Sequence, residues 1–243
     1  MPITGRAVPQ LAPNETAVQS VMRKWGIPGA SVAIADQGRL VYARGFGLAD
    51  RENGIPVQPW SVFRLASISK TIAGMTIVKL VEEGRISLDA KMVDLLPHIT
   101  PVPGATMDPR VRQITVRHLL HHTGGWDKPV PVDSAFHFNE AARALNVNRA
   151  TLTPEQMCRY ILGQRLDFEP GAKYAYSQAG YLLLGRIIER VTGKKFEEAR
   201  RKMASVRSGD FVFMSETPCA SKCTTLPWRA TMLTAPAISP RSI

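Results

Sequence analysis

The chain has 243 residues, 44% of them hydrophobic and 21% charged, which is the composition of a globular protein with one large or two small domains rather than a disordered one. Its net charge of +11 raises the question of nucleic acid, but the basic residues are scattered. No Lys/Arg run is interleaved with aromatics and no zinc-finger spacing occurs, so we expect a solvated basic surface and no nucleic-acid partner. No apolar run approaches the length of a membrane span. Cys158, Cys219 and Cys223 make neither a disulfide framework nor a zinc pattern; they fit a reducing compartment. No long apolar run follows Met1-Pro2-Ile3, so no signal peptide is expected and the default location is cytoplasmic.

Residues 1–13, with three prolines, read as an irregular lead-in. Asn14 can cap a helix running to about Trp25, with Val18, Val21, Met22 and Trp25 on one side and Gly26 as its stop. Ala30 to Ala35 and Arg39 to Phe46 read as two strands around Asp36-Gln37-Gly38, and Asn53-Gly54 marks a further turn. An antiparallel sheet with the first helix packed on it is the expected product. A helix from Ser67 to Glu83 follows, with Ala73, Ile77, Leu80 and Val81 at core spacing and Gly84 as its stop. Residues 98–111 read as a Pro-rich loop.

Thr115 can cap a helix to His122, ahead of Thr123-Gly124-Gly125-Trp126. His118 and His122 lie one turn apart, but no acidic partner or His-Glu-x-x-His pattern accompanies them, which favours packing and hydrogen bonding over a metal. Residues 126–150 read as a long loop with some helix near Glu140 to Leu145. Thr153-Pro154-Glu155-Gln156 is a capping box, starting a helix that holds Met157, Tyr160, Ile161 and Leu162. Pro170-Gly171 makes a turn, Lys173 to Tyr176 is extended, and Ser177 can cap a helix to Val191 with Gly193 beyond it.

The chemistry is carried by Ser67-Ile68-Ser69-Lys70. A Ser and a Lys three apart at a helix start share one face. The hydroxyl sits near the positive end of the helix dipole, and the amine is placed to take its proton. The tetrapeptide alone is common, and an N-cap Ser followed by an exposed Lys is the better explanation of it by itself. Two further stretches change the balance: Val116-Arg117-His118-Leu119-Leu120-His121-His122-Thr123-Gly124-Gly125, and Phe168-Glu169-Pro170-Gly171 followed by Tyr174-Ala175-Tyr176-Ser177-Gln178.

With these boxes in this order, residues 15 to 199 resemble the serine beta-lactamase and penicillin-binding-protein superfamily, in its branch of class C beta-lactamases, related esterases and D-amino-acid peptidases. Gly29-Ala30-Ser31-Val32-Ala33-Ile34, Gly45-Phe46-Gly47-Leu48-Ala49-Asp50 and Gly84-Arg85-Ile86-Ser87-Leu88-Asp89 add near-matching stretches. The resemblance implies an α+β fold: an antiparallel sheet flanked by helices, plus a mostly helical subdomain, with the site in the cleft between. It implies Ser67 as nucleophile, Lys70 as its base and Tyr176 as the phenol that relays protons. Gln178 stands where the family has Asn and would orient substrate. The activity implied is hydrolysis of an ester, amide or beta-lactam through an acyl-enzyme, with a small-molecule substrate and no cofactor. A non-catalytic or vestigial binding protein on the same scaffold is the alternative.

The sequence departs from the family pattern in two places. Gln178 carries one more methylene than Asn. After Gln178 no Lys-Ser/Thr-Gly or His-x-Gly occurs, although the family places that third box on a late strand lining the cleft. From about Arg200 the composition changes. Residues 1–199 are therefore expected to form an incomplete domain of this class with its late sheet strands missing. Residues 200–243 read as a non-matching tail, from a shifted reading frame, an unrelated replacement or a natural disordered extension.

Overall fold

Alternating apolar residues build the N-terminal sheet. In a computed structural model that describes residues 1–127 and 134–199, strand β2 (Gly29–Asp36) pairs antiparallel with β3 (Arg39–Asp50), with Ala30 opposite Phe46 and Val32 opposite Arg44. The pairing carries a register shift between Ile34 and Ala35. Two short strands complete the sheet on β3: β1 (Ile3–Thr4) and β4 (Ile55–Pro56). The order is β1-β3-β2, with β4 also on β3, so among the described residues the far side of β2 pairs with no strand.

The strand at Ile3–Thr4 corrects the irregular lead-in, and β3 runs four residues past the expected Phe46. One cause accounts for both. Gly45 lets neighbouring backbone approach so closely that a Cβ there would meet the Val57 carbonyl oxygen at 2.2 Å. Glycines that look like a strand end are the condition for β1 and β4 to dock.

Helix α1 (Ala12–Trp25) starts earlier than Asn14, because Pro13 occupies its first turn. Its Met22 packs with Tyr42 and Phe46, and Val18 lies against that cluster. Val21 and Trp25, expected inside, are exposed. Arg44 ties the unit together by donating to Glu15 at 2.8 Å and to the Thr4 carbonyl at 2.8 Å. These elements lie in the first of two compact units, Met1–Ser61; the second begins at Val62.

The second unit is helical. Helix α2 (Ile68–Glu82) buries Ala73, Ile77 and Leu80, as its spacing predicts. The short helix α3 (Met92–Leu95) follows, and Lys91 forms an isolated antiparallel bridge with Thr115. Helix α4 (Val116–Leu120) opens on the Thr115 cap, which accepts from the His118 N–H, and closes two residues before His122. Within the expected loop, Pro109–Gln113 forms a short 3-10 turn. Its Asp108 cap takes the Arg110 guanidinium and the Leu166 N–H, which holds that carboxyl far below the usual carboxylate range.

Helices α5 (Phe138–Leu145) and α6 (Pro154–Leu162) lie near their expected positions, and α6 has the predicted capping box. The last described helix of length, α7 (Gln178–Thr192), packs on α2, α4 and α6. Its Leu183, Leu184, Ile187 and Ile188 are fully buried among Ile77, Leu80, Leu119, Ile161 and Leu162. The fold is mixed helix and antiparallel sheet. The expectation for residues 200–243 lies outside the described residues.

Candidate active site

Ser67 occupies the position before the first turn of α2 but does not cap it: its hydroxyl makes no bond to the helix backbone. The residue ahead of it, Ala66, has φ +44, a left-handed conformation that costs a residue with a Cβ roughly 1–2 kcal/mol. Three successive i to i+3 bonds, Ile68 to Leu65, Ser69 to Ala66 and Lys70 to Ser67, then wind the entry tightly. The result turns the Ser67 hydroxyl outward, where it is exposed, with Lys70 on the same side one turn on.

Tyr176 comes from the other side. Residues 174–177 belong to no helix or strand; Ser177 is extended and caps α7 by accepting the Ala179 N–H. Tyr176 precedes that cap, and Gln178 begins the helix. The four residues singled out from sequence meet although more than a hundred positions separate the pairs. The Ser67 Oγ and Tyr176 hydroxyl lie 2.6 Å apart, with either as donor. The Lys70 Nζ is 3.5 Å from the Ser67 Oγ.

Both ends of the Gln178 amide are engaged. Lys70 donates to its Oε1, and its Nε2 donates to the Tyr176 oxygen at 3.3 Å. Four polar groups therefore close a ring: hydroxyl, phenol, amide and amine. The Lys70 Nζ also lies 5.0 Å from the Tyr176 ring centroid and 5.6 Å from that of Tyr181. Burial pushes the Tyr176 phenol up, but the Lys70 charge and the hydrogen bonds at its oxygen outweigh burial and leave it below its ordinary value.

His118 and His122 have backbone partners. The His118 Nδ1 accepts the Thr115 N–H at 3.3 Å, and the His122 Nδ1 accepts the Ser177 N–H at 3.2 Å. No group of three His, Cys, Asp or Glu side chains among the described residues is arranged to hold a metal. Cys158 is buried in α6, and burial pushes its thiol up to about 12. Sequence reasoning passed over Ala66, His122 and Tyr181 as neighbours of the site. Nothing in an Ala marks a left-handed residue, and in the sequence His122 reads as a helix end.

Comparison with known proteins gives the family. The family model Beta-lactamase matches residues 14–202. The esterase EstB of Burkholderia gladioli is 29% identical over 206 residues, covering 84% of this chain and 52% of that esterase. The octameric penicillin-binding protein homologue from Pyrococcus abyssi is 30% identical with a TM-score of 0.61, over 79% of this chain and 41% of that one. EstCE1, described as a hydrolase with promiscuous acyltransferase activity, is 30% identical with a TM-score of 0.62, over 79% of this chain and 50% of its own. The chain thus spans about half the length of these relatives or less. With residues 14–202 matched, this chain belongs to the beta-lactamase family.

Proposed function

We propose that the chain is a serine hydrolase that cleaves an ester, amide or beta-lactam bond through an acyl-enzyme on Ser67. The observation that carries this is the 2.6 Å approach of the Ser67 and Tyr176 oxygens beside Lys70. A serine hydroxyl is a weak nucleophile until a base takes its proton. The amide directions favour one partition of charge. With Gln178 Nε2 donating to the Tyr176 oxygen and Lys70 donating to Gln178 Oε1, the ring suits an anionic phenol beside a cationic amine. Tyr176 is then the immediate base and Lys70 the cation that makes it one; Lys70 as the direct base is the other proton route through the same cluster.

The Ser67 Oγ attacks the carbonyl carbon and its proton passes to the Tyr176 oxygen. The tetrahedral intermediate collapses as Tyr176 returns that proton to the departing oxygen or nitrogen, leaving the acyl group on Ser67. Water then attacks the ester, again giving a proton to Tyr176, and Ser67 leaves as the hydroxyl with that proton. On this reading the Ser67 backbone N–H serves as half of the oxyanion hole. Gln178 has its amide turned into the cluster, so it orders Lys70 and Tyr176 as well as any substrate.

The relatives lend support in their names, an esterase and a hydrolase with acyltransferase activity, and the substrate is left as this group of bonds. This 243-residue chain has no Lys-Ser/Thr-Gly or His-x-Gly after Gln178. Removing one oxyanion-hole donor costs about 10²–10³ in rate, so a 243-residue chain assayed without that box is expected to react slowly. The second reading is a binding protein that retains the site without turnover. Hydrolysis of p-nitrophenyl acetate and retention of a fluorescent penicillin decide between them. The first reading predicts slow hydrolysis or a stable adduct, both lost in Ser67→Ala. Neither signal from the wild type, or signals that survive Ser67→Ala, would leave the binding protein.

A further inference from the structure

We propose that His122 is the positioning residue that aims Tyr176 at Ser67, by accepting the backbone N–H groups on both sides of the tyrosine. The inference rests on the reading of Tyr176 as the proton-transfer group. The His122 carbonyl accepts the Ala175 N–H at 2.8 Å, and its Nδ1 accepts the Ser177 N–H at 3.2 Å. One residue therefore brackets Tyr176. Its ring also lies against the Tyr176 ring, with centroids 4.6 Å apart, and against Tyr181 at 5.0 Å.

The bracket matters because Tyr176 has no regular structure of its own to hold it. Residues 172–177 belong to no helix or strand. Their other tie to the same neighbour comes just before them, where the Gly171 N–H donates to the Thr123 carbonyl at 2.8 Å. His122–Thr123 thus acts as a two-residue rail on which the segment carrying the phenol is laid. The rail is built at a conformational cost. His122 has φ +56, a left-handed position that closes α4 and that most residues with a Cβ avoid, although His and Asn tolerate it better than others. Strain kept beside a reactive centre is a reason to look for function there.

The Nδ1 acceptor separates positioning from packing. His122→Phe keeps an aromatic ring and the carbonyl but removes the lone pair, leaving the Ser177 N–H without its ring acceptor. His122→Asn removes the ring but sets an amide oxygen near the Nδ1 position and tolerates the left-handed backbone. A shift of about 1 Å at the reacting group can cost roughly 10²-fold.

Two readouts test this. The first is the rate at which a fluorophosphonate probe labels Ser67. The second is the titration of Tyr176 followed by NMR of 13Cζ-tyrosine, assigned with Tyr176→Phe. The groups facing that phenol are Ser67, Lys70 and Gln178 at its oxygen, with His122 against its ring and the Tyr181 phenol electrostatically linked to it. We expect His122→Phe to label about 10–100-fold more slowly. Its Tyr176 signal should titrate at higher pH, as the phenol moves away from Lys70. His122→Asn should stay within about fivefold of wild type. Circular dichroism checks that each variant is folded. Wild-type labelling and titration in His122→Phe would overturn the inference, as would a folded His122→Asn that falls as far as His122→Phe. If the wild type itself takes no probe, the hydrolase reading fails, and the Tyr176 titration alone still decides the role of His122.

Discussion

Ser67 and Ser177 stand at equivalent places, each at the N-cap of a core helix, and they use their hydroxyls in opposite ways. Ser177 turns inward, is buried and caps α7 at the Ala179 N–H. Ser67 makes no cap bond, stays exposed and faces the Tyr176 hydroxyl. The helices behind them differ in the same sense. From α7, Leu183, Leu184, Ile187 and Ile188 are fully buried, whereas α2 buries Ala73, Ile77 and Leu80 and exposes Ile68, Met75 and Val78. The helix that carries Gln178 is built for stability, and the helix that carries Ser67 forgoes a cap and accepts a left-handed Ala66. A hydroxyl satisfied by its own helix is unavailable to a substrate, so the cap bond and the nucleophile exclude one another.

Substitutions should pull the two serines apart. Ser67→Ala is expected to abolish acylation, an effect of at least about 10⁴-fold, and to change stability by under about 0.5 kcal/mol in a urea melt. A large destabilisation would mean that Ser67 is a structural cap after all. Lys70→Met should lower the acylation rate by about 10²–10⁴-fold. Against burial, Lys70 lowers the Tyr176 phenol pKa through hydrogen bonding and then charge, together with Ser67 and Gln178, so its removal should raise that value. Since Tyr176 must lose its proton to act as base, the rising limb of the pH–rate profile should then move to higher pH. A limb that stays in place would remove Lys70 from the proton network.

On the α7 side the effects should appear in stability. Leu184→Ala leaves a cavity in the core and is expected to cost about 2–5 kcal/mol in a denaturant titration. Ser177→Ala should cost about 1 kcal/mol through the lost cap. Its acylation rate, normalised to folded protein, should fall by less than about tenfold, far less than for Ser67→Ala. A Ser177→Ala variant that is fully stable but inactive would reverse the comparison.

The sequence made the candidate site legible where short local patterns carry it. Ser67, Lys70, Tyr176 and Gln178 each sit in a box recognisable within a few residues, and Thr115, Thr153 and Ser177 announce their helices through cap chemistry. The remainder depends on non-local facts. Strand β1 exists because Gly45 admits it, across some forty positions. His122 brackets Tyr176 through backbone groups that no side-chain pattern records. The exposed Val21 and Trp25 on α1 follow the helical period, yet only the width of the face covered by the sheet decides which of those positions are buried.

The central claim is that Ser67 is made selectively nucleophilic by its contact with Tyr176 and Lys70. Peptide mapping of the protein after reaction with a fluorophosphonate tests it most directly, with Ser69 two residues away as the internal control. The account predicts one adduct, on Ser67, reduced to a trace in Lys70→Met and Tyr176→Phe. No adduct, an equal adduct on Ser69, or full labelling in both variants would contradict it.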